Sequence, residues 1–153
     1  MGGVGRGAWG VLAVVLACAP SGNVTADPQQ EIGDMLARSA AAWNRGDLSG
    51  FMDDYARDSL TSYVSGARVI YGWQTLFDRY QSAYFAAGKS RDSLSFDALE
   101  ARALAPDVAL ATARFALHRG DSVVASGPFT LVLRRRDGRW RIVHDHTSSD
   151  PKP

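Results

Sequence analysis

Residues 127–148 read GPFTLVLRRRDGRWRIVHDHTS, two runs rich in β-branched and aromatic residues on either side of the pair Asp137-Gly138. Asp-Gly favours the type I′ turn of a two-residue hairpin loop, because both central residues of that turn need positive φ. Counting outward from this loop places His144 opposite Leu131, and directly opposed residues share a face of the sheet. One face is therefore predicted to carry an apolar row that becomes polar at one end: Phe129, Leu131, Leu133, Trp140, Ile142, His144 and His146.

A candidate site follows from the register of a second hairpin. The pair Gly120-Asp121 predicts a tight turn, and counting outward from it places Arg114 on the same apolar face as His144 and His146. A guanidinium is always charged and costly to bury alone, so Arg114 needs a compensating partner at this position.

The chemistry that this cluster supports is anion binding or proton transfer. We predict that Arg114 anchors a small apolar or carboxylate-bearing molecule, while His144 or His146 donates a hydrogen bond or shuttles a proton. The pocket wall is predicted to include Tyr63, Trp73, Phe129 and Leu131. In the alternative interpretation the histidines are held structurally and Arg114 pairs with an acid of the chain, such as Asp53, Asp54 or Glu100.

The opposite face of the hairpin is predicted to be the outer surface of the sheet, with the side chains Thr130, Val132, Arg134, Arg141, Val143, Asp145 and Thr147. We expect a two-fold homodimer in which this face meets itself through Thr130, Val132, Val143 and Thr147. Asp145 adjoins both histidines in sequence and is predicted to point away from them, which argues against a Ser-His-Asp triad. Two histidines fall short of the three or four ligands of a zinc site, so neither a metal nor another cofactor is predicted.

Length and composition indicate one globular domain. The chain has 153 residues, of which 46% are apolar, enough to bury a sizeable core. Its formal net charge of +1 gives no electrostatic argument for binding nucleic acid or an anionic membrane surface.

The N-terminus has the pattern of an export signal. Residues 1–10 contain one Arg and no acid, and the apolar run 8–17 is too short to span a bilayer. The run ends in Val15-Leu16-Ala17-Cys18, which resembles a bacterial lipoprotein signal, and Cys18 is the only cysteine. We therefore predict a signal peptide over residues 1–18 and a cell-envelope lipoprotein attached to the membrane only through a lipid on Cys18. The alternative is cleavage after Ala26, which would give a soluble secreted or periplasmic protein.

Helices precede strands along the rest of the chain. After a linker at residues 19–26, Asp27 is predicted to cap a first helix that begins with Pro28 and ends at Gly46. Asp47 caps a shorter second helix, and a third is predicted over residues 72–85. The strands are predicted at residues 60–64, 94–104 and 108–118, followed by the opening hairpin. This order predicts an α+β domain over residues 27–148, with three helices packed on a curved, mainly antiparallel sheet, and a tail at 149–153.

This arrangement resembles the cone of the nuclear-transport-factor-2-like superfamily, which includes ketosteroid isomerase and the SnoaL-type polyketide cyclases. The residues that carry the resemblance are Asn44-Arg45-Gly46-Asp47-Leu48 at the first helix junction, and Arg135-Arg136-Asp137-Gly138-Arg139-Trp140 leading into Val143-His144-Asp145-His146-Thr147-Ser148. The pattern is most similar to the SnoaL-like branch of small bacterial proteins. This fold carries enzymes, binding modules and oligomerisation domains, so the resemblance alone leaves the function open.

The resemblance also predicts which chemistry is absent. Matching the isomerase pattern at Gly46 places its catalytic aspartate at Tyr63 and its oxyanion tyrosine at Ser39, so steroid isomerase activity is not expected. The association domain of calcium/calmodulin-dependent protein kinase has two pocket arginines, which the resemblance matches to Arg114 and Leu131. Only one of the two arginines of that anion site is therefore expected in this chain.

Three functions remain after this step. The first is an exported small-molecule-binding protein with an apolar pocket anchored by Arg114. The second is a cyclase- or isomerase-type enzyme that uses His144 or His146 as its acid or base. The third is a dimerisation or accessory module at the cell envelope.

Overall fold

The computed structural model describes residues 1–3 and 27–151. Within these residues the chain forms three helices, which are α1 (Pro28–Asn44), α2 (Leu48–Met52) and α3 (Trp73–Tyr84). It also forms six strands, which are β1 (Ser62–Ser65), β2 (Arg68–Tyr71), β3 (Ser93–Ala105), β4 (Val108–Arg119), β5 (Ser122–Arg136) and β6 (Arg139–Thr147). None of the helices in this described part is long and apolar enough to cross a membrane.

The strands form one sheet in the order β2-β1-β6-β5-β4-β3. All neighbours are antiparallel except β1 and β6, which run parallel. Strand β2, helix α3 and strands β3 to β5 lie between β1 and β6 in the chain, so no tight turn joins these two strands. The helices cover one face of this curved sheet, called here the inner face, and the apolar core lies between the two layers. The predicted α+β class is confirmed. Strand β2 was not predicted, since its alternation of side chains is short and mostly exposed.

The first helix begins and ends where the sequence predicts, and the second begins after its predicted cap. The Asp27 carboxylate accepts a hydrogen bond from the backbone N–H of Gln29, and Pro28 occupies the first helical position. Gly46 adopts φ +86 after α1, a conformation that side chains with a Cβ disfavour. Asp47 then caps α2 by accepting from the N–H of Gly50.

Two side-chain amides fix α1 along the free edge of β3. Gln29 bonds the carbonyl of Leu99 and the N–H of Ala101, while Asn44 bonds both backbone groups of Leu94. Fifteen residues of helix span about 22 Å at 1.5 Å per residue. Seven residues of strand span about 23 Å at roughly 3.3 Å per residue. The matching lengths let one helix cover an edge that would otherwise expose unpaired backbone groups.

A bulge in β5 changes the register predicted from the second hairpin. Arg119 pairs with Ser122 and His118 with Val123, as counting from the turn predicts. One extra residue, Val124, then shifts every later pair by one position, so that Phe129 faces Ala113 instead of Thr112. Because side chains alternate along a strand, a one-residue shift exchanges the two faces.

A second bulge in β6 changes the register of the opening hairpin. Its turn has the predicted geometry, with φ +50 at Asp137 and +73 at Gly138, and Leu133 faces Ile142 as predicted. Beyond that pair Val143 is an extra residue, so His144 faces Val132 and Asp145 faces Leu131. The predicted pairing of Leu131 with His144 is therefore wrong. Val143 lies where β6 changes partner on its other side: Tyr55 forms an isolated parallel bridge with Ile142, and β1 pairs with β6 from His144 onward.

Candidate functional site

A cavity of about 150 Å³ lies between the helices and the inner face of the sheet. Its walls are mainly aromatic and aliphatic and include Trp43, Phe51, Tyr55, Tyr63, Tyr80, Tyr84, Leu94, Phe96, Phe115, Phe129, Leu131 and Ile142. An apolar cavity of roughly this volume can hold a single benzene ring. The site therefore suits a small molecule with one ring or an equivalent aliphatic group.

The acid in this wall is Asp145, which is only 4% exposed. Its Oδ2 accepts a hydrogen bond from the Tyr55 hydroxyl at 2.6 Å, and its Oδ1 accepts from the Thr147 hydroxyl at 2.8 Å. Burial raises the pKa of Asp145 to about 6, while these two hydrogen bonds and the nearby His146 act in the opposite direction. A carboxyl group with this pKa populates both its protonated and its ionised form close to neutral pH.

Local chain geometry places Tyr55 beside this carboxylate. The N–H of Ile142 donates to the carbonyl of Asp54, and the N–H of Ala56 donates to the carbonyl of Ile142. This short parallel bridge fixes the backbone of Tyr55 against Ile142 of β6, which precedes Asp145 by three residues. Tyr63 is held from the other side, because it is the register partner of Asp145 between β1 and β6.

Three tyrosines of the cavity, Tyr55, Tyr63 and Tyr80, remain protonated at neutral pH. Burial raises the pKa of Tyr55 and of Tyr80 well above the ordinary value, and the negative charge of Asp145 adds to this effect. The pKa of Tyr63 is also raised, chiefly by burial. Three neutral phenols therefore line the same cavity as one carboxylate. The Tyr55 hydroxyl already donates to Asp145, so Tyr63 and Tyr80 are the candidate hydrogen-bond donors to a bound molecule.

A second depression adjoins the cavity and shares Ser65, Arg79 and Ser149 with it. We call this depression the mouth; its lining is Ser65, Gly66, Ala67, Arg68, Arg79, His146, Ser148 and Ser149. Arg79 extends from α3 toward the ring of Tyr63, at 6.0 Å from its centroid. The site thus changes from apolar inside to polar and cationic at the mouth.

Arg114 lies on the outer face of the sheet and does not line the cavity. The bulge at Val124 moves it there, since it places Ala113 and Phe115 on the inner face instead. Its guanidinium pairs with Asp150, which also accepts a hydrogen bond from the Ser126 hydroxyl. Its side chain is 42% exposed. The partner acid is therefore in the C-terminal tail and is none of the three acids proposed from the sequence.

The two histidines also leave the predicted pocket, because the bulge at Val143 turns them outward. The Nδ1 atom of His144 lies 2.8 Å from the Ser62 hydroxyl. His146 is exposed and lines the mouth, but not the cavity. The same bulge turns Asp145 and Thr147 inward, so the prediction that these two residues serve the outer face is wrong.

The structure brings together three of the other predicted pocket residues. Tyr63, Phe129 and Leu131 line the cavity. Trp73 does not; its indole N–H donates to the carbonyl of Met52, and its ring stacks on Phe77 at 5.2 Å, so it fastens α3 to α2.

Asp145 was missed as a site residue because the register was counted without bulges. A signal is present in the sequence: polar and apolar residues alternate from Arg139 to Ile142, and Val143 then follows as a second consecutive apolar residue. Such a pair is what a bulge produces when one residue is extra. No group of three metal-ligating side chains occurs within the described residues, and Cys18 lies outside them.

Comparison with known proteins identifies the family to which the chain belongs. A model of the SnoaL-like domain matches residues 32–151. A nuclear-transport-factor-2-like protein of unknown function from Shewanella oneidensis is 30% identical, with a TM-score of 0.71 over 79% of this chain and 98% of that one.

More distant structures share the fold. A superfamily member from Salmonella enterica is 21% identical, with a TM-score of 0.65 over 81% of this chain and 92% of that one. A putative ketosteroid isomerase from Parabacteroides distasonis is 19% identical, with a TM-score of 0.64 over 84% and 92%. The comparison with curated proteins gave no match. This chain belongs to the SnoaL-like domain family, within the nuclear-transport-factor-2-like superfamily.

Proposed function

We propose that the cavity binds a small carbonyl compound with an apolar, ring-sized group, and that Asp145 transfers a proton at the carbon next to the carbonyl. The observation that carries this proposal is a carboxyl group with a pKa of about 6, buried in an aromatic cavity among neutral phenols. A pKa near the working pH suits a general acid or base, because both protonation states are then accessible. The SnoaL-like fold is consistent with a small-ligand-binding or isomerase-type protein.

The proposed steps use groups of this chain alone. Asp145 is mostly ionised at pH 7 and removes a proton from the bound molecule, which leaves an enolate. Tyr63 or Tyr80 donates a hydrogen bond to the enolate oxygen, where the negative charge develops. Asp145 then returns the proton to another carbon of the molecule, as in an isomerisation. In a ring closure the enolate carbon instead adds to a second carbonyl group of the same molecule, whose C=O π bond opens to an alkoxide, and Asp145 returns the proton to that alkoxide.

Steroids are a poor fit for this site. The isomerase's catalytic aspartate is replaced by Tyr63, and the carboxylate comes from the neighbouring strand at Asp145. Ser39, at the position of the isomerase's oxyanion tyrosine, directs its hydroxyl to the backbone carbonyl of Phe51. The cavity volume is that of one ring, whereas a steroid has four fused rings.

Proton exchange tests the proposal directly. Phenylacetone has one ring and an acidic carbon next to its carbonyl, and its incorporation of deuterium from D₂O can be followed by NMR. We expect the wild-type protein to accelerate this exchange. In the isosteric variant Asp145→Asn the exchange rate should be at least about 100-fold lower, because a general base usually contributes that much. Asp121→Asn in an exposed turn is the matched control and should exchange as the wild type does. Equal rates in Asp145→Asn and wild type would contradict the proposal.

Binding without turnover is the second candidate function. The observation that favours it is that both oxygens of Asp145 already accept hydrogen bonds from the protein. In that case phenylacetone binds in calorimetry without exchange, and small molecules that co-purify with the protein can be identified by mass spectrometry.

The leader supports a further part of the proposal, which concerns location. We propose that the protein is exported and acylated on Cys18, on the strength of the sequence Val15-Leu16-Ala17-Cys18. The protein would then be attached to the membrane only through the lipid on Cys18.

A further inference from the structure

The mouth of the cavity is positively charged, because its described lining contains two arginines and no carboxylate. Arg68 and Arg79 both line it, together with His146 and serine hydroxyls, and none of its described lining residues is Asp or Glu. Arg79 also lines the inner cavity, whereas Arg68 reaches the mouth from β2, directly opposite Ser65.

These two arginines differ from most others in the described part of the chain. Eight arginines make an ion pair with a carboxylate, and they are Arg45, Arg114, Arg119, Arg134, Arg135, Arg136, Arg139 and Arg141. Among the described residues, neither Arg68 nor Arg79 has such a partner. A guanidinium beside an apolar cavity offers a planar pair of donors that matches a carboxylate.

We propose that the mouth binds the carboxylate of the same molecule whose ring fills the cavity, so that the ligand is an arylalkyl carboxylate. This inference rests on the proposed function, because it assumes that the cavity takes the apolar part of the ligand. The geometry that supports it is the sharing of Ser65, Arg79 and Ser149 between cavity and mouth, which lets one molecule occupy both. Arg79 and Arg68 thereby take the anchoring role that the sequence had suggested for Arg114.

A matched pair of probes tests the carboxylate. Calorimetric titration compares 3-phenylpropanoate with its uncharged analogue 3-phenylpropanamide at pH 7.5. We expect the acid to bind about tenfold more tightly than the amide, as a charge-assisted hydrogen bond implies. The double variant Arg68→Gln/Arg79→Gln should remove this preference while leaving the affinity for the amide within about twofold of wild type.

Two controls separate local from general effects. Arg102→Gln removes the same charge from an exposed position on the far strand β3, and it should keep the preference of the wild type. Added salt should weaken the acid and leave the amide unchanged, because screening acts on charges only. If the double variant fails to fold, the two single variants and the salt dependence supply the same comparison.

The outcomes distinguish this inference from the proposed function. Equal affinities of acid and amide for the wild type, or an undiminished preference in the double variant, would overturn the carboxylate site. Failure of both probes to bind would overturn it as well, while the exchange of phenylacetone still decides the role of Asp145. A preserved preference in wild type without any proton exchange supports the carboxylate site and counts against catalysis.

Discussion

The hydroxyl of Tyr55 lies 2.6 Å from Oδ2 of Asp145, and both side chains are buried. Tyr55 follows α2, whereas Asp145 lies in the last strand, so the contact joins the helical layer to the sheet at the cavity wall. Because the phenol donates to the carboxylate, it favours the ionised form and holds the pKa of Asp145 lower than burial alone would.

Removing this donor should change the titration of Asp145 in a defined direction. In Tyr55→Phe the pKa of Asp145 is expected to rise above its present value of about 6. The loss of one charge-assisted hydrogen bond corresponds to about one pH unit. The measurement is the ¹³C chemical shift of the Asp145 carboxyl group as a function of pH. Tyr84→Phe, which alters a cavity tyrosine without a hydrogen bond to Asp145, is the control. A lower or unchanged pKa in Tyr55→Phe would contradict this account.

The stability of the fold should increase as the pH falls from 7 to 5. Asp145 and Asp54 both have a pKa raised to about 6 by burial, whereas an unfolded aspartate has a pKa of about 3.9. The folded state therefore binds more protons than the unfolded state between about pH 4 and pH 6, so the free energy of unfolding decreases as pH rises through this window. The expected change is on the order of 1–3 kcal/mol for each group.

Other carboxylates set the lower limit of this window. Salt bridges and hydrogen bonds lower the pKa of Glu31 and Asp58, among others, and their contribution to stability is lost as pH falls below about 4. Thermal melts between pH 3 and pH 8 should thus show the highest Tm near pH 5. Asp145→Asn should have a higher Tm than wild type at pH 7 and a smaller increase toward pH 5. A wild-type Tm that falls steadily from pH 7 to pH 5 would refute the prediction.

Gly127 controls the path of the C-terminal tail. A Cβ at this position would lie 2.0 Å from the carbonyl oxygen of Ser148, so the tail could not pass. Gly127→Ala is expected to destabilise the fold by about 1–3 kcal/mol, as overpacking does. Asp150→Ala removes the half-exposed ion pair with Arg114 and the hydrogen bond from the Ser126 hydroxyl, and it should cost about 1 kcal/mol. The free energies of unfolding are measured by chemical denaturation. A loss in Gly127→Ala no larger than the loss in Asp150→Ala would contradict the predicted clash.

The sequence predicts the elements of this fold better than it predicts the site. The capping residues Asp27 and Asp47 and the turn Asp137-Gly138 act locally, and they were identified from local chemistry alone. Which face a side chain occupies depends instead on every residue between it and the turn. One extra residue at Val124 and another at Val143 therefore moved the predicted polar cluster to the outer face.

Acylation of the N-terminus is the expected fate of the leader. If Cys18 is the lipid-bearing first residue, growth with a labelled fatty acid should label the wild-type protein and not Cys18→Ser. The wild type should also sediment with membranes, because two or more acyl chains anchor a protein stably. A soluble, unlabelled form that begins at Asp27 would contradict the prediction.

The outer face of the sheet is expected to form a two-fold dimer. Of the four residues that the sequence proposed for this contact, Thr147 turns into the cavity and Val143 is the extra residue of the bulge, while Thr130 and Val132 lie on the outer face. The register extends the patch across neighbouring strands to Tyr71 and Val69, which are 63% and 54% exposed.

A face of this kind buries apolar area best against a copy of itself, because a two-fold axis brings the same residues together. Val132 faces His144, and His144 faces Ser62 beside Tyr71, so Val132→Asp would introduce a carboxylate into the row that crosses the patch. We expect sedimentation velocity at micromolar concentration to show a dimer for the wild type and a folded monomer for Val132→Asp. Arg102→Gln, on the far edge of the sheet, should remain dimeric. A monomeric wild type at these concentrations would exclude the proposed interface.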